Sequence, residues 1–169
     1  METFIRHSDI RHSSFVFQIV NRQSVMTPHA HADAFAAETQ LRVRYAETDQ
    51  MGVVYHSNFV IWMEVGRVEL LRSLGFTYRE MEKDGYHLPV AEVKCRYKAP
   101  ARYDDLIRIR TRIVNLRGYV IHFFYEILRD EDGALLAEGE SVHIVVGPDM
   151  QKTPLPEKYM APFTKAMGN

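Results

Sequence analysis

Polar and hydrophobic positions alternate along several stretches of the chain, and this period of two predicts β-strands. In the first stretch, residues 40–45, leucine, valine and tyrosine alternate with arginine. Longer alternations follow at residues 89–99, 106–116, 119–128 and 134–146. Glycine-containing turns at residues 117–118 and 130–133 separate the last three stretches, which predicts that these strands are antiparallel neighbours.

Between the first and second strands the hydrophobic period changes to that of an α-helix, over residues 58–74. Its apolar stripe comprises Phe59, Trp62, Met63, Gly66, Leu70 and Leu74. Other apolar residues widen the stripe over most of the circumference, so we expect the helix to be buried on several sides. Gly66 permits another backbone to approach closely. We expect its neighbour to be the small-residue face of the last strand, Ala137, Gly139 and Ser141.

Strands and helices in this order place the chain in the α+β class. A short second helix is predicted at residues 77–84, and 169 residues suit a single domain. We assign residues 39–157 to that domain. Residues 1–38 show no sustained period and are interpreted as an N-terminal extension, either disordered or, before Met26, not part of the native protein. Residues 158–169 are interpreted as a C-terminal tail.

Composition and charge argue against several classes of protein. The formal net charge is −1, so the chain lacks the basic field that nucleic-acid binding requires. No apolar run approaches the ~20 residues of a membrane-spanning helix. The single cysteine, Cys95, precludes an intrachain disulfide, which fits the reducing cytoplasm, and we expect it to be a buried, inert thiol.

The segment from Tyr45 to Phe59 carries the clearest chemical signal. It contains the acid Asp49, a turn at Gly52 and the predicted helix start near Ser57. Unpaired backbone N–H groups at a helix N-terminus can stabilise a developing oxyanion. An acid beside such groups suits acyl transfer or hydrolysis. From the residues alone, an aspartate that caps the turn or the helix is the favoured interpretation, because this role is very common.

The same segment resembles a known family. An acid followed by Gly-Val-Val-Tyr-His-x-Asn-Phe and a long apolar helix is similar to the hotdog-fold acyl-CoA thioesterases. The similar branch is the 4-hydroxybenzoyl-CoA thioesterase type, which includes small thioesterases encoded beside bacterial Tol-Pal envelope genes. The resemblance runs from about Leu41 to about Leu155. It implies the hotdog fold, an antiparallel sheet curved around one long central helix.

The resemblance also implies roles for individual residues. Asp49 would attack the thioester carbonyl or activate a water molecule. Backbone N–H groups at His56 and Ser57 would hold the oxyanion. The His56 side chain could instead orient water or protonate the departing thiolate, and we favour the backbone role.

Coenzyme A carries phosphate groups, so basic side chains are expected near the mouth of the site. The candidates are Lys98, Arg102, Arg117 and the basic face of one strand, formed by Arg108, Arg110 and Arg112. The turn at Arg117 and Gly118 is preferred, because related enzymes bind the nucleotide near it.

Two further sets of ionisable residues have other interpretations. Glu64 and Arg67 are three residues apart on the helix, which favours a buried ion pair, and Glu64 is the second candidate for the acid. His122 and His143 lie on different predicted strands. With no local metal-ligand spacing in the sequence, we expect neither a metal site nor any other cofactor.

The resemblance predicts a cytoplasmic acyl-CoA thioesterase that forms homodimers or homotetramers, with active sites at subunit interfaces. Acyl-CoA would be its partner as substrate, with no nucleic acid and no membrane span. A hotdog regulator that senses acyl-CoA without hydrolysing it is an alternative, although the first 38 residues lack a helix-turn-helix pattern. A hotdog dehydratase is another alternative.

Overall fold

The computed structural model describes residues 37–168. Most of the predicted N-terminal extension, residues 1–36, lies outside the described residues, as does Asn169. Ala37 and Glu38, assigned from the sequence to that extension, begin the first strand instead.

Five strands and three helices make up the described part of the chain. The strands are β1 (Ala37–Arg42), β2 (Val90–Tyr97), β3 (Leu106–Arg117), β4 (Val120–Arg129) and β5 (Leu135–Ile144). The helices are α1 (Ser57–Ser73), α2 (Tyr78–Lys83) and α3 (Glu157–Ala166), and a 3₁₀ turn covers Tyr45–Glu47.

The strands form one antiparallel sheet in the order β1-β3-β4-β5-β2. Register shifts interrupt β3 between Ile113 and Asn115 and β4 between Ile127 and Leu128. Such bulges bend a strand and increase its twist, which lets the sheet curve around α1. The predicted class, α+β with an antiparallel sheet around one long helix, is confirmed.

The two faces of β3 show how the sequence pattern sets the core. Ile107, Ile109 and Ile113 point inward and are buried, whereas the arginines between them lie on the outer face. Of these, Arg108 Nε lies 2.9 Å from Asp130 Oδ1, and Arg110 is paired with Glu126 and Glu38. The basic stripe seen in the sequence is therefore a charge-compensated outer surface of the sheet.

Helix α1 packs its apolar stripe on the inner face of the sheet, but Gly66 has a different neighbour from the one expected. A Cβ atom at Gly66 would lie 2.5 Å from Thr111 Oγ1 and 2.7 Å from Ile109 Cγ2, so this glycine faces β3. The small face of β5 instead accommodates Met63, whose side chain would collide with any Cβ at Gly139. The prediction that the small residues of β5 face the helix is correct. The prediction that they contact Gly66 is wrong, because Met63 takes that place.

One side of α1 is not covered by residues 37–168. Val60 is 37% exposed and Ile61 is 49% exposed. The expectation that the helix is buried on several sides is therefore wrong for the described chain taken alone. The edge strand β2 is similarly open, since Val90 and Tyr97 are about half exposed.

The first strand lies three residues earlier than predicted. It ends at Arg42 rather than Tyr45, and Tyr45 is 78% exposed in the 3₁₀ turn. The reason lies in local hydrogen bonding, because the Glu47 side chain accepts from the Arg44 backbone N–H at 2.7 Å and turns the chain toward α1. This capping interaction competes with continued strand pairing.

Residues 158–169, interpreted from the sequence as a tail, include most of α3, which packs into the same core. Tyr159 and Phe163 are fully buried. The Tyr159 ring lies 4.9 Å from that of Phe76, and its hydroxyl donates to Asp84 Oδ2 at 2.6 Å. Pro162 within this helix and its short length obscured the helical period in the sequence.

Candidate active site

Asp49 lies in a tight loop between the 3₁₀ turn and α1. Thr48 and Val54 pair across the base of the loop, and the Asp49 N–H donates to Val53 O at 2.9 Å. Gly52 adopts φ +72°, a left-handed conformation that favours glycine. The loop thus returns the chain directly toward the start of the helix.

The two carboxylate oxygens of Asp49 differ in their surroundings. Oδ1 accepts a hydrogen bond from the Met51 N–H at 2.8 Å, which closes a local turn. Oδ2 accepts no hydrogen bond from the described residues and is available to a ligand or to water. Asp49 therefore caps the turn, which is the structural role considered in the sequence analysis. Its second oxygen is still free to act as a nucleophile or a base.

Glu47 fastens this loop to α1, and its role was missed from the sequence. Its backbone carbonyl accepts from the Tyr55 N–H at 2.8 Å and from Asn58 Nδ2 at 2.9 Å. Its buried carboxylate accepts from Trp62 Nε1 at 3.1 Å and from Arg44. A buried tryptophan needs an acceptor for its indole N–H, and Trp62 on the apolar stripe was the signal that could have identified this acid.

The pKa of the Glu47 carboxyl lies below its usual value. Burial raises it, but hydrogen bonds from the Arg44 side chain and backbone and from Trp62 lower it further, so the net shift is downward. The carboxylate form is the one that can accept all of these bonds. Glu47 therefore holds the loop as an anion at neutral pH.

The N-terminus of α1 presents two backbone donors. Neither the His56 nor the Ser57 N–H has an acceptor among residues 37–168, and no side chain caps this end of the helix. Free amides at a helix N-terminus, reinforced by the helix dipole, form an anion-binding site. The His56 imidazole is exposed and lies 4.3 Å from the Tyr55 ring, so it is accessible but is not fixed by a hydrogen bond.

Tyr97, at the end of β2, positions the start of the helix. Its hydroxyl donates to the His56 carbonyl oxygen at 3.0 Å. Burial and the neighbouring Cys95 raise the pKa of Tyr97 to about 12, which keeps this donor protonated. Cys95 itself is half-buried, and burial raises the pKa of its thiol.

Two of the candidate basic residues lie at the same end of the sheet as Asp49. The Val54 N–H donates to Ala101 O at 2.8 Å, which joins the Asp49 loop to the segment that carries Lys98 and Arg102. Lys98 pairs with Glu138 at 2.9 Å. The Arg102 side chain is exposed and forms no ion pair with the described residues.

Arg117 and Gly118 lie at the opposite end of the sheet. Arg117 is the last residue of β3 and pairs with Val120, and Gly118 follows it in the β3–β4 turn. The Asp49 loop lies near the start of β3. A strand of this length spans roughly 35 Å at ~3.3 Å per residue. Within one chain the structure does not bring this turn together with Asp49.

Glu64 and Arg67 do not form the predicted ion pair. Glu64 is exposed, and Arg67 is buried with its guanidinium carbon 4.9 Å from the centre of the Tyr78 ring. No salt bridge joins them in the part of the chain that the structure describes. The expectation of a buried pair is wrong, because the Glu64 side chain stays exposed while the Arg67 guanidinium turns against the Tyr78 ring.

Within residues 37–168, no three His, Cys, Asp or Glu side chains are grouped closely enough to hold a metal ion. His122 and His143 lie on separate strands, β4 and β5. No helix in the described ranges is long and apolar enough to cross a membrane.

Comparisons with known proteins agree with this geometry. The putative acyl-CoA thioesterase YneP of Bacillus subtilis is 42% identical over 110 residues, 65% of this chain and 79% of that protein. The acyl-CoA thioester hydrolase YbgC of Escherichia coli O6:H1 is 36% identical over 124 residues, 73% of this chain and 92% of that protein. A crystal structure of the DHNA-CoA thioesterase from Staphylococcus aureus matches with a TM-score of 0.69 and 32% identity, covering 78% of this chain and 88% of that one. The sequence profile of the thioesterase-like superfamily matches residues 43–163, and the chain belongs to this superfamily.

Proposed function

We propose that the protein is an acyl-CoA thioesterase, which hydrolyses its substrate to a free acid and coenzyme A. The main observation behind this proposal is that Glu47 holds the Asp49 loop against the N-terminus of α1. The loop carries a carboxylate, Asp49, with an unbonded oxygen. The helix N-terminus has two free amides. Membership of the thioesterase-like superfamily supports the same activity.

In the proposed reaction the thioester carbonyl oxygen receives hydrogen bonds from the His56 and Ser57 amides. Asp49 either attacks the carbonyl carbon directly or removes a proton from a water molecule that attacks it. The C–S bond then breaks, and the thiolate of coenzyme A leaves and takes up a proton. In the nucleophilic route, water subsequently cleaves the mixed anhydride formed on Asp49.

The exposed edge strand β2 supports assembly through a two-fold axis. Antiparallel pairing of two β2 strands would extend the sheet and cover Val93 and Tyr97. It would also reverse the ends of one sheet relative to the other, so that Arg117 and Gly118 of one subunit approach the Asp49 end of the second. Lys98 and Arg102 would come from the same subunit as Asp49. We propose this homodimer, alone or paired into a tetramer, as the form that binds the coenzyme A phosphates.

Subunit mixing tests the shared site. Asp49→Asn and Arg117→Glu homodimers should each be impaired, whereas a heterodimer of the two has one site with neither change. After random exchange about a quarter of wild-type activity should return, because half of the dimers are mixed and each has one intact site. Mixing that restores nothing would show that both residues serve the same site from one chain.

Release of coenzyme A, measured with a thiol reagent, tests the activity itself. A panel of short, long and aromatic acyl-CoA substrates should include at least one that is hydrolysed. Binding without thiol release would indicate the non-catalytic regulator. Loss of water from a 3-hydroxyacyl-CoA without thiol release would indicate the dehydratase.

We also propose that the protein belongs to the 4-hydroxybenzoyl-CoA, Tol-Pal-associated branch of the family. We further propose that it is located in the cytoplasm, and its single cysteine supports this location.

A further inference from the structure

A cavity of about 60 Å³ lies between helix α1 and the edge strand β2. Closer to the start of the helix, beside the proposed oxyanion site, the Tyr97 hydroxyl of β2 is bonded to the His56 carbonyl. The walls of the cavity include Val60, Glu64 and Arg67 of α1 and Val93 of β2. Its floor contains side chains of β4 and β5.

Arg67 is a buried cation with one guanidinium nitrogen that lacks an acceptor among the described residues. The residue is 7% exposed, and the nitrogen is Nη1. The guanidinium lies against the face of the Tyr78 ring and interacts with the hydroxyls of Tyr78 and Tyr125, which are neutral groups. No carboxylate of the described residues pairs with it. Burying a charge without a counter-charge costs several kcal/mol, so Nη1 is suited to an acceptor oxygen from a bound ligand.

The floor of the cavity supplies no such acceptor charge, because its polar groups form a neutral chain. Burial lowers the pKa of His143 to about 4, so its ring is neutral at pH 7. His143 Nδ1 lies 3.0 Å from Leu88 O and must donate to that carbonyl. Nε2 then accepts from Ser141 Oγ at 2.9 Å, and Ser141 in turn accepts from the Tyr125 hydroxyl at 2.7 Å.

All three protons are committed: those of Tyr125 and Ser141 to the next side chain, and that of His143 Nδ1 to the Leu88 carbonyl oxygen. Tyr125, Ser141 and His143 therefore offer no spare donor to a ligand in the cavity. The guanidinium of Arg67 is the donor that a bound group would meet. Glu64 lies on the same face of the helix but remains exposed and does not neutralise it.

The distance from the proposed oxyanion site sets the length of a suitable ligand. Ser57, Glu64 and Arg67 lie on one face of α1, and ten residues of helix rise about 15 Å. The long Arg67 side chain leans back toward the N-terminus, which shortens the path to about 10–15 Å. An extended chain advances about 1.2 Å per bond, by analogy with an extended polypeptide, so 8 to 12 bonds are needed.

The size of the cavity sets the shape of the ligand's end. An engineered protein cavity of about 150 Å³ accommodates benzene, and a water molecule needs only about 10–15 Å³. A space of about 60 Å³ therefore suits a hydroxyl or carboxylate group rather than an aromatic ring.

We propose that this cavity binds the far end of the acyl group, and that Arg67 donates a hydrogen bond to an oxygen there. The preferred substrates are then CoA thioesters of unbranched acids with about ten carbons that carry a terminal hydroxyl or carboxylate. This inference rests on the proposed thioesterase activity and specifies its substrate class.

The test compares three substrates of equal length: decanoyl-CoA, 10-hydroxydecanoyl-CoA and the mono-CoA thioester of decanedioic acid. For the wild type, kcat/KM should be about 10- to 100-fold higher for an oxygenated substrate than for decanoyl-CoA, as expected for a hydrogen bond to a charged group. The hydroxy and dicarboxylic arms identify which oxygen is preferred. In Arg67→Met the ratio should fall to about one, and Arg67→Lys should retain part of it. Arg72→Met, an exposed arginine of the same helix, should keep the wild-type ratio.

Several results would overturn the inference while leaving the thioesterase activity intact. One is that the wild type has the same kcat/KM for all three substrates. Another is that Arg67→Met keeps the wild-type ratio of kcat/KM between the oxygenated substrate and decanoyl-CoA. A variant that becomes monomeric in light scattering would assign Arg67 to a subunit interface instead.

If no acyl-CoA is hydrolysed, the proposed function fails. Calorimetric binding of 10-hydroxydecanoic acid to wild type and Arg67→Lys then tests the cavity by itself. Absence of binding to the wild type would then reject the cavity as an acyl site.

Discussion

Trp62 in the central helix donates its indole N–H to the buried carboxylate of Glu47, with 3.1 Å between the two heavy atoms. This bond joins the apolar core to the loop that carries Asp49. The loop is therefore held by a side chain that belongs to the core, and its geometry depends on how α1 packs. The proposed active site is positioned by buried interactions rather than by surface contacts.

Asp49→Asn is expected to reduce turnover by at least ~100-fold, because a carboxamide neither attacks a carbonyl effectively nor accepts a proton from water. Steady-state release of coenzyme A from an accepted substrate measures this. Stability should change little, since an asparagine oxygen can still accept from the Met51 N–H.

Asp149→Asn is a matched control for that variant, because Asp149 accepts from the Gln151 N–H at 3.0 Å in the same two-residue pattern. It should retain full turnover. If Asp49→Asn melts early and its activity loss follows the unfolded fraction, Asp49 serves only the turn. A folded Asp49→Asn variant with normal turnover would direct attention to Glu64.

Glu47→Gln is expected to destabilise the protein by about 1–3 kcal/mol, because the carboxamide has one acceptor oxygen where the carboxylate has two. Oε1 accepts from the Arg44 side chain and from Trp62, and Oε2 accepts from the Arg44 backbone N–H, so an NH₂ group at either place faces a donor and leaves it unpaired. The pKa of Glu47 is lowered in the folded protein, so its contribution is present above the unfolded pKa of ~4.3 and is lost as the pH falls through the folded value.

The difference in unfolding free energy between wild type and Glu47→Gln should therefore shrink between pH 6 and pH 3. Denaturant titrations at both pH values measure it. Glu69→Gln, at an exposed position of α1 that contacts Arg72, should show no such change. A Glu47→Gln variant as stable as the wild type at pH 7 would mean that the buried bonds contribute nothing.

His143→Gln should weaken the dependence of stability on pH between 7 and 5. Burial lowers the pKa of His143 to about 4, below the unfolded value of ~6.5, so the unfolded chain binds the extra proton in this window. Wild-type stability should therefore fall on acidification, by roughly 2 kcal/mol at pH 5 from this group. Glutamine does not titrate, so the variant should lose less over the same interval. Equal losses in the two proteins would show that His143 is protonated in the folded state.

Gly66→Val is expected to destabilise the fold by about 1–3 kcal/mol, because its side chain would overlap Ile109 and Thr111 of β3. Both neighbours are β-branched and therefore have few alternative rotamers. Thermal melting provides the measurement, and Arg72→Val in the same helix controls for the lower helix propensity of valine. A midpoint no lower than that of the control would place Gly66 away from the sheet.

The periodic elements were predictable from the sequence because burial imposes their periods directly. The strand β3 and the helix α1 were located within one or two residues, since isoleucines at every second position and a wide apolar stripe admit few other structures. The partner of Gly66 was mispaired because a period identifies the inner face of an element but not which strand it meets.

Interactions between distant segments were not predictable in the same way. The hydrogen bond from Tyr97 to His56 and the bond from Trp62 to Glu47 join residues that no local pattern connects. Helix α3 was missed because it carries Pro162 and too few turns for a clear period. The separation of Arg117 from Asp49 depends on the direction of β3, which only the full topology gives.

The hydrogen bond between Tyr97 and His56 makes the order of the helix N-terminus depend on the last residue of an edge strand. The ends of an edge strand open more readily than those of a strand paired on both sides, and opening of β2 at Tyr97 would release the two amides from their fixed direction. Pairing with a second subunit would quench this motion. Specific activity should therefore rise with protein concentration and reach a plateau where dimerisation is complete. Dilution below that concentration should lower the specific activity without any inhibitor.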